Sequence, residues 1–188
     1  LGQLNPHNMA SELRVDKIIP TSGVPSGGGG GVIQVTQGNM NYRSLTSSNS
    51  YVTTGLSGTI TPKINTSKVL VTVTTSATWD SGAATLGAII RRKVGGSYLA
   101  NSPLGSTGHG NVNTPDGATM GAYSGAGGGQ NNQMPMTVQW WDSPATTSAI
   151  TYELWIAGNG NTLVGVGGIG DNTGYHIYSQ IVMMEVSA

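Results

Sequence analysis

Apolar and polar side chains alternate over residues 134–141 and again over residues 150–156. In the first segment, Met134, Met136, Val138 and Trp140 share one side, and Thr137, Gln139 and Trp141 share the other. A two-residue repeat is typical of a β-strand with one buried face. Residues 142–144 (Asp-Ser-Pro) interrupt the repeat, because proline cannot donate a sheet hydrogen bond and Asp and Ser favour turns. The pattern predicts an antiparallel pair of core strands joined by a turn over residues 142–149.

Short strand patterns separated by turn residues recur from Val32 onward. They cover residues 32–36, 42–46, 51–54, 58–61, 68–79, 86–94 and 98–99. In the longest of them, Val69, Val71 and Val73 form an aliphatic face, so we expect this segment to be a central strand. The spacing predicts an all-β, antiparallel β-sandwich of the jelly-roll type over residues 32–188.

The composition favours the same fold class. Thirty of the 188 residues are glycine and none is phenylalanine, which disfavours a helical bundle. Charged residues make up 9% of the chain, against roughly 25% in an average soluble domain, so small polar residues must cover the surface. Two interpretations follow: part of the surface is buried between identical subunits, or the protein works in an assembly in which the solubility of the free chain matters little.

Several classes of partner are disfavoured by the charge balance and by missing residue types. Eight basic and eight acidic residues cancel, so nucleic acid is not an expected partner. No apolar run approaches the roughly 20 residues that span a bilayer, and we expect no membrane insertion. The absence of cysteine rules out disulfides and thiolate metal sites. The one basic cluster, Arg91, Arg92 and Lys93, is expected to be a solvated or intersubunit strand end.

The first 31 residues differ from the rest of the chain. Residues 1–8 are expected to be upstream or cloning-derived sequence, and residues 9–31 an N-terminal anchor ending in a glycine-rich hinge. The candidate anchoring side chains are Leu13, Val15, Ile18 and Ile19. A strip of this size cannot bury itself, so we expect a neighbouring subunit or docking protein to cover it.

A long Gly, Ser and Asn-rich passage without periodicity covers residues 102–133. Loops of this length inside a domain are commonly functional or ordered by neighbours, and its side chains can hydrogen-bond sugar hydroxyls. Trp79, at the end of the central strand beside Asp80, is expected to be exposed near the same tip. The candidate receptor-binding residues are Trp79, Asp80, His109, Asn111, Asn113, Asp116, Tyr123, Gln130, Asn131, Asn132 and Gln133. A loop that contacts only solvent or a second subunit is the alternative.

No motif indicates catalysis or a cofactor. Residues 165–170 satisfy G-x-G-x-x-G, but neither a following helix nor a later acidic residue at the required distance accompanies it. His7, His109 and His176 lack ligand spacing. The acidic residues offer no evident catalytic pair, since Asp142 is explained by its turn and Glu185 by the last strand. We therefore expect no enzyme activity, no metal and no cofactor.

Several segments together resemble a known family in their order along the chain. They are LRVDKIIPTSG (13–23), GVIQV (31–35), TGLSGTITP (54–62), SKVLVTV (67–73), DSPATTSA (142–149) with its flanking strands, and IVMMEVSA (181–188). These resemble the tail fibre and fibre-tip proteins of bacteriophages, especially those of marine and cyanobacterial phages. The resemblance covers nearly all of the chain.

The resemblance implies a homotrimer on the virion whose N-terminal segment faces other virion proteins and whose sandwich faces outward. The implied function is adhesion to host-surface polysaccharide, with avidity from three tips. The alternatives are a capsid-decorating head fibre, a tail-assembly adaptor and an extracellular filament subunit, none of which binds a receptor.

Overall fold

The computed structural model describes residues 31–79, 84–101, 120–124, 132–158, 163–168 and 176–187, and these contain eleven β-strands and no helix. The strands are β1 (Val32–Met40), β2 (Ser44–Thr46), β3 (Val52–Ile60), β4 (Lys68–Trp79), β5 (Ala84–Val94), β6 (Ser97–Asn101), β7 (Met120–Ser124), β8 (Asn132–Asp142), β9 (Ile150–Ala157), β10 (Val164–Val166) and β11 (Ser179–Val186). Accordingly, these ranges hold no helix of the length and hydropathy needed to cross a membrane.

Sheet A is built around β4, as the alternation of its valines predicts. Strand β8 pairs with β4 from Val69 to Trp79. On the other side of β4, β11 pairs with residues 68–74 and β10 with residues 77–79. Strands β1 and β2 extend the sheet beyond β11 and β10, respectively. All of these pairs are antiparallel.

Sheet B is built in the same way around β5 and β9. Strand β9 pairs with β3 on one side and with β5 on the other. Along the free side of β5, β6 pairs with residues 91–94 and β7 with residues 84–88. The chain is therefore an all-β protein with two antiparallel sheets, consistent with a β-sandwich.

The core lies between the two sheets, where their apolar faces meet. Strand β4 contributes Val69, Val71 and Val73, and each is fully buried. From sheet B, β9 contributes four fully buried side chains in strict alternation: Ile150, Tyr152, Leu154 and Ile156. The two-residue repeat seen in the sequence is thus the repeat of inward-facing positions.

One side of the sandwich is closed by direct contact between β1 and β3. The side chain of Gln34 donates to the carbonyl of Thr61 at 2.7 Å, and the hydroxyl of Thr36 donates to the carbonyl of Thr59 at 3.1 Å. At Gly38 the strands approach so closely that an added Cβ would overlap the carbonyl oxygen of Ser57. Only glycine fits this position without a backbone shift.

The predicted antiparallel pairing of the strands on either side of residues 142–149 is wrong. Strand β8 pairs with β4 in sheet A, whereas β9 belongs to sheet B. The connection over residues 143–149 therefore crosses from one sheet to the other. It contains Ala145 at a φ of 51°. The alternation correctly predicted the buried faces of both strands. It shows which face of a strand is buried, but it does not show which strand is its neighbour.

Two strand boundaries also differ from the prediction. The segments at 51–54 and 58–61 form one strand, β3, whose register with β9 shifts between Thr53 and Ser57. Within the predicted loop 102–133, residues 120–124 form β7 and β8 begins at Asn132. The sequence of β7 contains glycine and alanine and shows no alternation of apolar and polar side chains, so this strand was not predicted. Residues 1–30, with the predicted anchor and its side chains, lie outside the described residues.

Candidate functional site

The candidate receptor-binding residues fall partly within the described ranges. Asn132 pairs with Trp79 and Gln133 with Thr78, so these candidates adjoin at one end of β4 and β8. Tyr123 lies in β7, paired with Thr85 of sheet B. The remaining candidates lie outside the described residues: Asp80, His109, Asn111, Asn113, Asp116, Gln130 and Asn131.

The prediction that Trp79 is exposed is wrong. Trp79 is 9% exposed and belongs to the hydrophobic core. It lies an even number of residues from Val69, Val71 and Val73, so β4 turns it to the same inner side. The exposed tryptophan is Trp141 on β8, at 56%. The sequence had already required Trp140 and Trp141 to face opposite ways.

A buried ion pair connects the two sheets. One terminal nitrogen of the Arg92 guanidinium (β5) donates to both carboxylate oxygens of Asp142 (β8), at 2.8 Å each. The Tyr152 hydroxyl (β9) donates to Asp142 Oδ2 at 2.7 Å, and the Tyr152 ring packs edge-on against Trp140. Burial, with the adjacent Asp142 carboxylate, raises the pKa of Tyr152. These contacts link β5 and β9 of sheet B to β8 of sheet A.

This ion pair corrects two sequence interpretations. Asp142 is the last residue of β8 and 5% exposed, not a solvated turn residue. Arg92 belongs to the interior and not to a solvated strand end, since its side chain is 15% exposed. Arg91 and Lys93 lie on the opposite face of β5 from Arg92 and are partly exposed.

Glu185 is a second buried carboxylate, and its partners are hydrogen-bond donors. Its Oε1 accepts from the Ser67 hydroxyl at 2.7 Å and from the amides of Lys63 and Ile64 at 2.8 and 3.2 Å. Its Oε2 accepts from the Gln34 side chain at 2.5 Å. Burial alone would raise the pKa of Glu185, but these hydrogen bonds outweigh it and hold the pKa below its ordinary value. The carboxylate fixes the β3–β4 connection to β11.

The outer face of sheet B carries a group of aromatic and charged side chains that we call the Tyr98 cluster: Arg91, Lys93, Tyr98, Glu153 and Trp155. The rings of Tyr98 and Trp155 lie 5.3 Å apart and nearly perpendicular. The Arg91 guanidinium carbon is 4.4 Å from the Trp155 ring centre and 4.9 Å from that of Tyr98. The Lys93 ammonium is 5.4 Å from the Tyr98 ring centre. Cations at these distances are attracted by the rings.

Glu153 holds this cluster together. Its Oε2 accepts from the Tyr98 hydroxyl at 2.6 Å and from Trp155 Nε1 at 3.1 Å. Its Oε1 lies 3.5 Å from the Lys93 ammonium. Burial would raise the pKa of Glu153, but the Tyr98 and Trp155 hydrogen bonds and the Lys93 charge lower it overall. The hydrogen bond to Glu153, followed by burial, raises the pKa of Tyr98.

The outer face of sheet A carries an apolar row that crosses four neighbouring strands. Val35 on β1 pairs with Met184 on β11, Met184 pairs with Leu70 on β4, and Leu70 pairs with Trp141 on β8. Val35 and Trp141 are 54% and 56% exposed, while Leu70 and Met184 are half-buried. We call these four residues the apolar row.

Polar pairs and the half-buried Val182 lie on one side of the apolar row, and Val186 and Lys68 lie on the other. Charge is nearly absent from this face. Gln139 donates to the Thr72 hydroxyl at 3.2 Å, and Gln180 donates to the Gln37 side chain at 2.8 Å. Among the outward positions of the paired segments of β1, β4, β8 and β11, Lys68 is the only ionisable residue. An exposed sheet face with this composition is suited to a protein contact.

Sequence reasoning missed both surfaces, and only the Tyr98 cluster left a signal along the chain. Arg91 and Lys93 alternate on β5, and Glu153 and Trp155 alternate on β9, so each pair shares the outer face of its strand. The apolar row could not be found in this way, because its members come from four separate segments.

No protein-family model matches the chain, and no curated protein matches it in sequence. Within the described ranges, no three His, Asp or Glu side chains converge as metal ligands would.

Proposed function

We propose that this chain is the subunit of a homotrimeric bacteriophage fibre, a structural component of the virion, whose β-sandwich tip adheres to host-surface glycans. The family comes from the segments that resemble fibre proteins, which run in order from residue 13 to residue 188. In this proposal the N-terminal segment faces other virion proteins and the sandwich faces outward. The protein has no enzymatic role.

The strand order supports a jelly roll. Sheet A places β1, β11, β4 and β8 side by side, and sheet B places β3, β9 and β5 side by side with β6 and β7 beyond. The chain passes repeatedly from one sheet to the other, and its first and last described strands are neighbours. Double-sheet jelly rolls of this type recur in viral capsid and lectin domains.

The apolar row supports association of copies of the chain through the outer face of sheet A. Four apolar side chains in register, on a sheet face that also carries Val182 and Val186, would lose water contact against a second copy, at roughly 25 cal/mol for each Å² of apolar surface buried. Because the face carries one base and no acid among its described outward positions, copies would not repel one another strongly. The resemblance to fibre proteins sets the number of copies at three.

Adhesion of the purified oligomer to cells tests the function. We expect labelled protein to bind cells of at least one strain in a panel of marine cyanobacteria, and extracted surface polysaccharide of that strain to compete. Bovine serum albumin with the same label is the control for nonspecific binding. Failure to bind any strain, or binding that polysaccharide does not reduce, would contradict adhesion and favour a decorating or adaptor role.

A further inference from the structure

Strand β8 forms an edge of sheet A. Among the described strands it pairs with β4 alone, and this pairing runs from Asn132 to Asp142 without a shift of register. An edge strand presents a row of backbone N–H and C=O groups to which a further strand can add.

The ladder shows which residues of β8 point these groups outward. The carbonyl of Ser76 on β4 accepts from the amide of Gly167 at 3.2 Å, and Gly167 follows β10, which lies on the side of β4 opposite β8. Ser76 therefore points its backbone groups away from β8, and its partner Pro135 points its own groups away from β4. Proline is tolerated here because no hydrogen bond to β4 is lost.

The outward direction recurs at every second residue after Pro135, at Thr137, Gln139 and Trp141. Each of these three supplies one N–H and one C=O to the edge, and its side chain is exposed. Proteins commonly protect such an edge with charged side chains, prolines or bulges. Strand β8 has none of these between Pro135 and Asp142, so this part of the edge can accept a strand.

The same edge adjoins the surface at which copies are proposed to meet. The apolar row ends at Trp141, which lies on the outer face of β8 itself. A strand added to β8 would place its own outward side chains beside Trp141 and would extend the row from four strands to five. A copy that packs on the apolar row therefore brings its chain close to the edge of β8.

The sequence contains a segment with the pattern that this edge requires, residues 13–19 (LRVDKII). In an extended chain its odd-numbered residues, which are Leu, Val, Lys and Ile, share one side. That side is mainly apolar and can pack beside Trp141. The segment contains no proline, and it has as many residues as β8 has from Met136 to Asp142.

The connection to the sandwich is long enough to reach a neighbouring copy. Residues 20–30 separate the segment from Gly31, and a connection of this length spans at most about 36–40 Å. Gly31 bonds to Ser187 at the end of sheet A where β8 also finishes. Sheets packed face to face lie about 10 Å apart, so the β8 edge of a copy on the apolar row is within reach.

We propose that residues 13–19 of one copy add as a strand to the edge of β8 in a neighbouring copy. The inference rests on the proposed assembly through the outer face of sheet A and names the segment that completes it. The contact joins two different parts of the chain, so it is heterologous and can close into a ring of three. Pairing between the β8 strands of two copies would be isologous and would close at two.

Residue-resolved hydrogen exchange of the intact oligomer tests the added strand. The amides of Thr137, Gln139 and Trp141 point to the edge, so they should exchange slowly in the wild-type protein only if a strand covers them. Val15→Pro removes a donor from the added strand. Exchange at these three amides should then become faster by about tenfold or more, as expected for the loss of a hydrogen bond.

The alternate amides of the same strand are the internal control. Those of Met136, Val138 and Trp140 point to β4, so Val15→Pro should leave their slow exchange unchanged. Ser22→Pro, outside residues 13–19, should leave both sets of amides protected. Fast exchange of the outward set in wild type, or protection of that set that persists in Val15→Pro, would overturn the added strand.

Cross-linking identifies the copy that supplies the strand. The chain contains no cysteine, so Val15→Cys combined with Gln139→Cys supplies the only thiols. A short bismaleimide should join this variant into species of two and three chains on a denaturing gel. Val15→Cys combined with Leu99→Cys, at an exposed residue of sheet B, should remain as single chains. Cross-links confined within single chains would show that each copy covers its own β8, and would overturn donation between copies.

Light scattering of the same proteins distinguishes this inference from the proposed assembly. A trimeric wild type whose outward β8 amides exchange fast would overturn the added strand and leave the assembly intact. A wild-type mass of one chain would contradict both. A trimeric mass, protected outward amides and cross-links between chains would together support both.

Discussion

Arg92 and Asp142 face each other across the interior of the sandwich, with one guanidinium nitrogen 2.8 Å from each carboxylate oxygen. One residue belongs to sheet B and the other to sheet A. The pair therefore joins the two sheets, and the Tyr152 hydroxyl adds a hydrogen bond to Asp142 from a third strand.

Asp142→Asn should destabilise the protein strongly, because it leaves the Arg92 charge buried without an opposite charge. Breaking one partner of a buried ion pair costs about 3–5 kcal/mol. Replacing both residues, as in Arg92→Met with Asp142→Leu, should recover much of this loss since no charge remains buried. Urea unfolding at one fixed protein concentration measures both effects.

The partly exposed pair of Lys93 and Glu153 provides the control for this experiment. Lys93 is 33% exposed, and Glu153, at 13%, keeps its hydrogen bonds from Tyr98 and Trp155 when Lys93 is replaced, so Lys93→Gln should cost only about 0–1 kcal/mol. Equal losses for Lys93→Gln and Asp142→Asn would contradict the structural importance of the buried pair.

Glu185→Gln should reduce stability at neutral pH by about 2 kcal/mol, because the hydrogen bonds it breaks are made to a charged acceptor. The pKa of Glu185 is lower in the folded chain than its ordinary value of 4.5. The carboxylate therefore stabilises the fold fully above about pH 4.5, and this stabilisation is lost as the pH falls through the folded-state pKa.

Thermal melting of wild type and Glu185→Gln from pH 7 down to pH 3 tests whether acidification removes the stabilisation by Glu185. The difference between the two melting temperatures should be constant near neutral pH and should shrink in the acidic range. A difference that stays constant down to pH 3, or that grows on acidification, would show that the Glu185 charge does not stabilise the fold.

Gly38→Ala should destabilise the closed side of the sandwich. The added methyl group would overlap the carbonyl oxygen of Ser57, so β1 and β3 would have to separate. Overpacking of this kind costs about 1–3 kcal/mol. Asn39→Ala, at the exposed neighbouring position of β1, should change the free energy of unfolding by less than about 0.5 kcal/mol. Urea unfolding that finds equal stability for the two variants would contradict the close approach of the strands.

Strand positions could be predicted from the sequence because they depend on local alternation. The central position of β4 followed from its valines, and the inward face of β9 followed from Ile150 to Ile156. The same alternation places Arg92 in line with Leu86, Ala88 and Ile90, yet the prediction for Arg92 was a solvated or intersubunit strand end, and its 15% exposed side chain is not solvated. Its partner, 50 residues later in the chain, could not be identified locally.

Strand pairing and surface assembly could not be predicted, because both depend on contacts between distant segments. The two strands around residues 143–149 have the pattern of a hairpin, yet they lie in different sheets. Likewise, the apolar row joins residues as far apart as Val35 and Met184. The receptor surface predicted chiefly in residues 102–133 stays a prediction, since most of that passage lies outside the described residues.

Measurement of the native mass by light scattering tests whether copies of the chain assemble through the outer face of sheet A. Wild type should have about three times the chain mass of 19.2 kDa. Trp141→Glu should give single chains, because it places a charge in the apolar row. Leu99→Glu, at a residue of similar exposure on sheet B, should remain trimeric. A wild-type mass of one chain, or a trimeric Trp141→Glu variant, would contradict assembly through this face.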